Sequence, residues 1–128
     1  MKLNYQWPLP SQPRPIAIIG SGGIVKDAHL PAYQKAEFEV LGVYDINPEQ
    51  SEKIANSWNL KAFGSLDSLI SSAQSQNAVF DLALPPSAIS NVLEQLPEHA
   101  TVLIQKPMGS DLEKAKLIKA ICERKKLT

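Results

Sequence analysis

The sequence is short of the residue types that several function classes require. Its 128 residues include one cysteine, Cys122, which excludes an internal disulfide and a cysteine-based metal site and fits a reducing, cytoplasmic setting. His29 and His99 are the only histidines. Neither has a cluster of Cys, Asp or Glu at ligand spacing, so no metal site is expected. Net charge is also lacking, since thirteen Lys and Arg balance thirteen Asp and Glu. No global field therefore draws the chain to nucleic acid or to an anionic membrane surface. No stretch approaches the roughly 18 apolar residues of a membrane span. Where a signal peptide would carry an apolar run, the N-terminus has Pro8, Pro10, Pro13 and Pro15. Internal repeats and low-complexity tracts are absent, and the length supports one core, not two.

What is present is an ordinary globular composition, 44% apolar and 20% charged, in an alternating pattern. Residues 1–15 form a proline-rich arm with polyproline character. Tyr5 and Trp7 offer it a contact on a neighbouring copy, which leaves a homo-oligomer open. Ile16-Ala-Ile-Ile19 is a β-branched run ending in Gly20-Ser21-Gly22-Gly23, a buried strand feeding a tight turn. A helix from Ile24 to Lys35 must kink or restart at Pro31. Phe38 to Tyr44 reads as the second strand, and Pro48 to Trp58 as a helix with Asn47 as N-cap. Lys61-Ala62-Phe63 reads as a short third strand. Ser65 then caps a helix carrying Leu66, Leu69 and Ile70. Ala78 to Leu84 is the fourth strand. Pro85-Pro86 opens a helix with Ile89, Val92, Leu93 and Leu96 on one face. Thr101 to Ile104 is the fifth strand, and a last helix runs from Asp111. Strands alternating with helices, without hairpins, predict parallel βαβ units wound on both faces of one sheet. The expectation is a three-layer α/β doubly wound domain over residues 16–128, strand order 3-2-1-4-5, with no second domain for a substrate.

The turn Gly20-Ser21-Gly22 lies between the first strand and the first helix, where a dinucleotide pyrophosphate meets helix N–H groups. Glycine at 20 permits the tight turn. Glycine at 22 removes the side chain that would hold a phosphate off the backbone, and Gly23 and Ile24 continue the loop into the helix. The third glycine of the fingerprint would fall at 25, where this chain has Val25. Asp45 ends the second strand, 23 positions after Gly22. A carboxylate there accepts both ribose hydroxyls and repels a 2′-phosphate, which favours NAD over NADP. Asp45-Ile-Asn-Pro48 is also good turn chemistry, but the loop upstream makes cofactor contact the preferred reading.

These residues resemble the glucose-fructose oxidoreductase, inositol dehydrogenase and rhizopine-catabolism family. The resemblance rests on Gly20-Ser-Gly-Gly-Ile-Val, Ala28-His-Leu-Pro-Ala32, Val43-Tyr-Asp45, Ala83-Leu-Pro-Pro86 and Gln105-Lys-Pro-Met108. It implies an NAD(P)-binding Rossmann domain followed by an α+β substrate domain, with hydride exchanged with a sugar, cyclitol or polyol. It places Leu84, Pro85 and Pro86 along the dinucleotide cleft. It also places Gln105 and Lys106 beside the nicotinamide, with Lys106 as the catalytic lysine on the substrate hydroxyl. In the family the bond before Pro107 is commonly cis, a turn that would aim Lys106 into the cleft. This chain departs from the pattern at three positions: Gln105 stands for the family's glutamate, Leu84 for its usual threonine, and the histidine that the family has near the position of Ile89 is missing.

The family's acid/base pair, an aspartate followed four residues later by histidine, has no counterpart in the chain. Dinucleotide binding without turnover is therefore expected, with a sugar or polyol bound only alongside a second domain. Two other readings remain: a non-catalytic NAD-sensing or partner-binding module, and a Rossmann domain for another adenosine ligand such as S-adenosylmethionine. Lys106-Pro107 speaks against the latter. His29 reads as a packing or capping residue, and Arg124-Lys125-Lys126 as a solvated helix end suited to the macrodipole.

Overall fold

The computed structural model describes residues 8–128. The contact suggested for Tyr5 and Trp7 lies outside the described residues. Among the described residues, four parallel strands form one sheet: β1 (Ile16–Ile19), β2 (Val40–Tyr44), β3 (Val79–Leu82) and β4 (Thr101–Ile104), in the order β2-β1-β3-β4. β1 is buried along its whole length, as its unbroken Ile-Ala-Ile-Ile run requires of a central strand. Its side chains alternate between two cores. Ile16 and Ile18 face α1 (Leu30–Lys35) and α2 (Pro48–Trp58). Ala17 and Ile19 face α3 (Leu66–Ser75), α4 (Pro86–Gln95) and α5 (Leu112–Lys125). This is the expected three-layer doubly wound architecture.

The expected third strand shrinks to one bridge, so the sheet has four strands and not five. Val43 N donates to Lys61 O and Phe63 N to Val43 O, both at 2.9 Å, pairing Ala62 with Val43 on the outer side of β2. The segment sits where the order 3-2-1-4-5 puts it. It has no length to continue, because Gly64 turns the chain into Ser65, whose Oγ accepts from Ser68 N at 3.2 Å to cap α3. Gly42 allows this approach, since a Cβ there would collide with the Lys61 carbonyl and lie 2.7 Å from the Phe63 ring.

The first helix also differs from a simple helix. Val25–His29 forms a π-helical turn, and α1 begins at Leu30 with Pro31 in its first turn. Helical backbone is continuous through this point, with Leu30 N–H donating to Val25 O, so the widened turn lies directly before the proline, which cannot join a regular α-helical ladder. Asn47 caps α2 and Asp111 caps α5, the latter accepting from Lys114 N at 2.9 Å.

Arg14 ties the arm to the sheet: its guanidinium donates to Asn77 O at 2.6 Å and to Thr101 Oγ1 at 2.8 Å. On the face beside the arm, β4 leaves Leu103 50% exposed. Thr128 N donates to Ala100 O and Val102 N to Thr128 O, bracketing Thr101 on the outer edge of β4. Among the described residues no helix is long and apolar enough to cross a membrane.

Candidate functional site

The carboxyl ends of β1, β2 and β3 open onto one cleft of about 530 Å³, within the usual range for small-molecule sites. Gly20, Ser21, Gly22, Asp45, Leu84 and Pro85 all line it. Gly20 takes φ +99°, and a Cβ on it would collide with the Ala83 carbonyl, 2.9 Å from that carbonyl carbon. Glycine is thus required where the ends of β1 and β3 converge. Above Gly22, by contrast, a Cβ would meet nothing within 4 Å. That open backbone is the feature a phosphate needs. Gly23 and Ile24 already carry helical backbone, so their N–H groups belong to the unpartnered first turn.

Asp45 is built into the loop. Its Oδ2 accepts from Ser21 N at 2.8 Å and from Ser21 Oγ at 2.7 Å, and its Oδ1 accepts from Asn47 N at 2.9 Å. The carboxylate thus shapes the turn at the strand end and also lines the cleft. Three bonds leave part of its roughly four-site acceptor capacity for a ligand. From α2, Gln50 Nε2 donates to Ser21 O at 2.9 Å, so the loop is held from two elements.

Gly23, Ile24, Pro86, Gln105 and Lys106 lie outside the lining of this cleft. Gln105 follows β4 at the same end of the sheet, where its N–H donates to Leu82 O at 3.0 Å and its Oε1 accepts from Lys106 N at 2.9 Å. Lys106 is exposed, and the Lys106–Pro107 peptide is cis. The residues at 105 and 106 are thus at the same end of the sheet but apart from the Gly20–Asp45 cluster.

Sequence reasoning missed the far end of the cleft, formed by Ile46, Leu66, Ala88, Asn91, Val92 and Gln95. The helical spacing of Ala88, Asn91, Val92 and Gln95 on α4 marks a face, but only the fold says that the face borders this cleft. It also missed Asp81, which is fully buried in β3. Asp81 Oδ2 accepts from His29 Nδ1 and from Tyr33 OH, each at 2.7 Å, while Oδ1 has no partner among the described residues. Burial and the Asp81 contact raise the Tyr33 pKa above its ordinary value.

Residues 14–128 match the family model described as an oxidoreductase family with an NAD-binding Rossmann fold. Among curated proteins, glucose-6-phosphate 3-dehydrogenase of Bacillus subtilis is 34% identical over 112 residues, covering 85% of this chain and 30% of that protein. The chain spans about a third of the length of the curated relatives it matches. Among solved structures, an oxidoreductase of Thermotoga maritima aligns with a TM-score of 0.77 at 24% identity, over 91% of this chain and 37% of that one. The WlbA dehydrogenase of Chromobacterium violaceum, solved with NADH and UDP-GlcNAcA, aligns with a TM-score of 0.72 at 20% identity, over 94% of this chain and 35% of that one.

Proposed function

Because the chain belongs to the Gfo/Idh/MocA oxidoreductase family with its NAD-binding Rossmann fold, we propose that residues 16–128 are the dinucleotide-binding domain of an oxidoreductase acting on a sugar, cyclitol or polyol. Residues 1–15 are its N-terminal arm. The observation that carries the reading is the junction of Gly22 and Asp45 in one cleft: open backbone beside a carboxylate at the next strand end.

The pyrophosphate is assigned to the Gly20–Ile24 turn, where free N–H groups and the helix end favour an anion. The adenosine ribose is assigned to Asp45. Its diol can donate to the carboxylate, with Ser21 Oγ, itself a donor to Asp45, yielding or sharing its place. A 2′-phosphate would face that carboxylate at close range, so NAD is the preferred cofactor over NADP. Leu84, Pro85 and Pro86 border the path toward the nicotinamide end. A bound nicotinamide would supply the hydride acceptor or donor.

Lys106 is assigned to the substrate hydroxyl. An ammonium offers three donors and stabilises negative charge on an oxygen that loses its proton. Gln105 stands next to it with a neutral amide, so the lysine has no carboxylate neighbour in sequence to balance its charge. Substrate positioning and the acid/base partner are assigned to residues that this chain does not contain, as the relatives' greater length suggests.

Calorimetric titration with NAD and NADP tests the assignment. NAD is expected to bind the tighter, and Asp45→Ala to weaken NAD by about tenfold, the value of one charged hydrogen bond. The same change should narrow the gap to NADP. Unchanged NAD affinity in Asp45→Ala would remove the ribose assignment.

A further inference from the structure

The far end of the cleft carries a polar feature that ribose and phosphate binding leave unused. Asn91 and Gln95 stand one turn apart on α4, and both line the cleft among apolar neighbours. Gln95 Nε2 donates to the backbone carbonyl of Asn91 at 3.3 Å and to Asn91 Oδ1 at 2.9 Å. A backbone carbonyl only accepts, which fixes the Gln95 amide with its nitrogen toward Asn91. The Asn91 atom receiving the second bond must then be its oxygen. Two groups are left over: Asn91 Nδ2, a donor, and Gln95 Oε1, an acceptor.

We propose that Asn91 and Gln95 read the edge of the adenine base, so that this domain selects its dinucleotide by base as well as by ribose. The proposal rests on the dinucleotide assignment above. Adenine presents its N6 amino donor beside a ring-nitrogen acceptor on either accessible edge, N1 on one side and N7 on the other. Gln95 Oε1 matches the amino group and Asn91 Nδ2 matches the ring nitrogen. Position agrees with chemistry. If the ribose lies at Asp45 and the pyrophosphate at Gly22, the base extends away from the loop, toward Ile46 and α4. Ile46 is 90% exposed on that lip. An isoleucine left so open in the free protein has apolar surface for a flat ring to cover, with Ala88 and Val92 lining the same cleft.

Replacing the amino group by a carbonyl reverses the contact at position 6 on either edge. Hypoxanthine puts the O6 acceptor against Gln95 Oε1, so a repulsive contact replaces a hydrogen bond. The test is titration calorimetry with NAD and with nicotinamide hypoxanthine dinucleotide. It is run on the wild-type chain, on Asn91→Ala/Gln95→Ala, and on Gln95→Lys. Both positions are exposed on a helix, where alanine and lysine are well tolerated. The wild-type chain is expected to prefer NAD by about fivefold or more, the lower end for a matched donor–acceptor pair on a base. The double alanine variant should bind both dinucleotides alike. Gln95→Lys, which offers a donor to O6, should move the preference toward the hypoxanthine form. Equal wild-type affinities, or a preference that survives the double substitution, would overturn base reading while leaving the dinucleotide assignment intact. Failure of both dinucleotides to bind the wild-type chain would overturn the dinucleotide assignment and base reading together.

Discussion

At Gly20 the backbone runs at φ +99° against the Ala83 carbonyl, so two independent constraints exclude a side chain. Gly20→Ala would have to strain the turn and push β1 from β3 at the point where both enter the cleft. The expected loss is about 2–4 kcal/mol, combining an unfavourable backbone region with a steric shift, measured by urea unfolding. Dinucleotide affinity should fall with it. The sequence already announced Gly20, because a glycine pair between strand and helix has few other uses. Asp81 could not be read in the same way. An aspartate within Val79-Phe-Asp-Leu82 looks like an interruption of a buried strand until the fold brings His29 and Tyr33 over it. Tyr33 ionises near pH 10 when unfolded, but desolvation, then the hydrogen bond to Asp81 and its charge, hold the proton on in the folded state. Above that pH the unfolded chain binds fewer protons than the folded one, so stability should decline as pH rises. The slope is at most about 1.4 kcal/mol per pH unit, an upper limit because solvent screens a partly exposed ring. Tyr33→Phe should flatten this alkaline decline in unfolding curves recorded from neutral to high pH.

Among the elements, those with strong local signals appear where the sequence puts them. β1 and β4 match residue for residue. The caps expected at Asn47 and Ser65 each make their side-chain bond, and Asp111, the expected start of the last helix, caps it. Ser65→Ala should lower stability by about 1 kcal/mol in urea unfolding, the usual value of such a cap. What local pattern could not give was the extent of pairing. Lys61-Ala62-Phe63 has strand character, but its single bridge is set by the Gly64–Ser65 turn and by Gly42 across from it. The π-helical turn at Val25–His29 was equally hidden, because period alone does not separate a widened turn from the α-helix it resembles. Val25 shows why the departure from the third glycine matters to this element. Its side chain is fully buried against Ile16, Ile18, Leu30 and Val43, so the branched residue fills space in this chain's own core. Val25→Gly would restore the fingerprint and empty that space. Unfolding should show a loss of about 3 kcal/mol, from the cavity and the glycine's backbone entropy, with no gain in dinucleotide affinity.

At the scale of the whole molecule, the binding groups and the proposed chemical group are separately placed. Gly20, Gly22 and Asp45 share one cleft, while Lys106 stands exposed beyond it at the end of β4. On the face beside Arg14, β4 leaves Leu103 half-exposed. A hydride transfer needs its two reactants held within bonding range, a geometry worth several kcal/mol of the barrier. A single lysine without a wall to press a sugar against the cofactor does not provide it. The 128-residue chain should therefore bind NAD in a titration yet give no steady formation of reduced cofactor with a panel of sugars, cyclitols and polyols, followed by absorbance. Lys106→Ala should leave NAD affinity within about twofold of the parent, because the lysine's assigned contact is with substrate and it lies outside the adenosine cleft. Steady turnover by the parent chain, abolished in Lys106→Ala, would mean that the acid/base partner lies within these residues. His29, part-buried and paired with Asp81, would then be the first group to substitute.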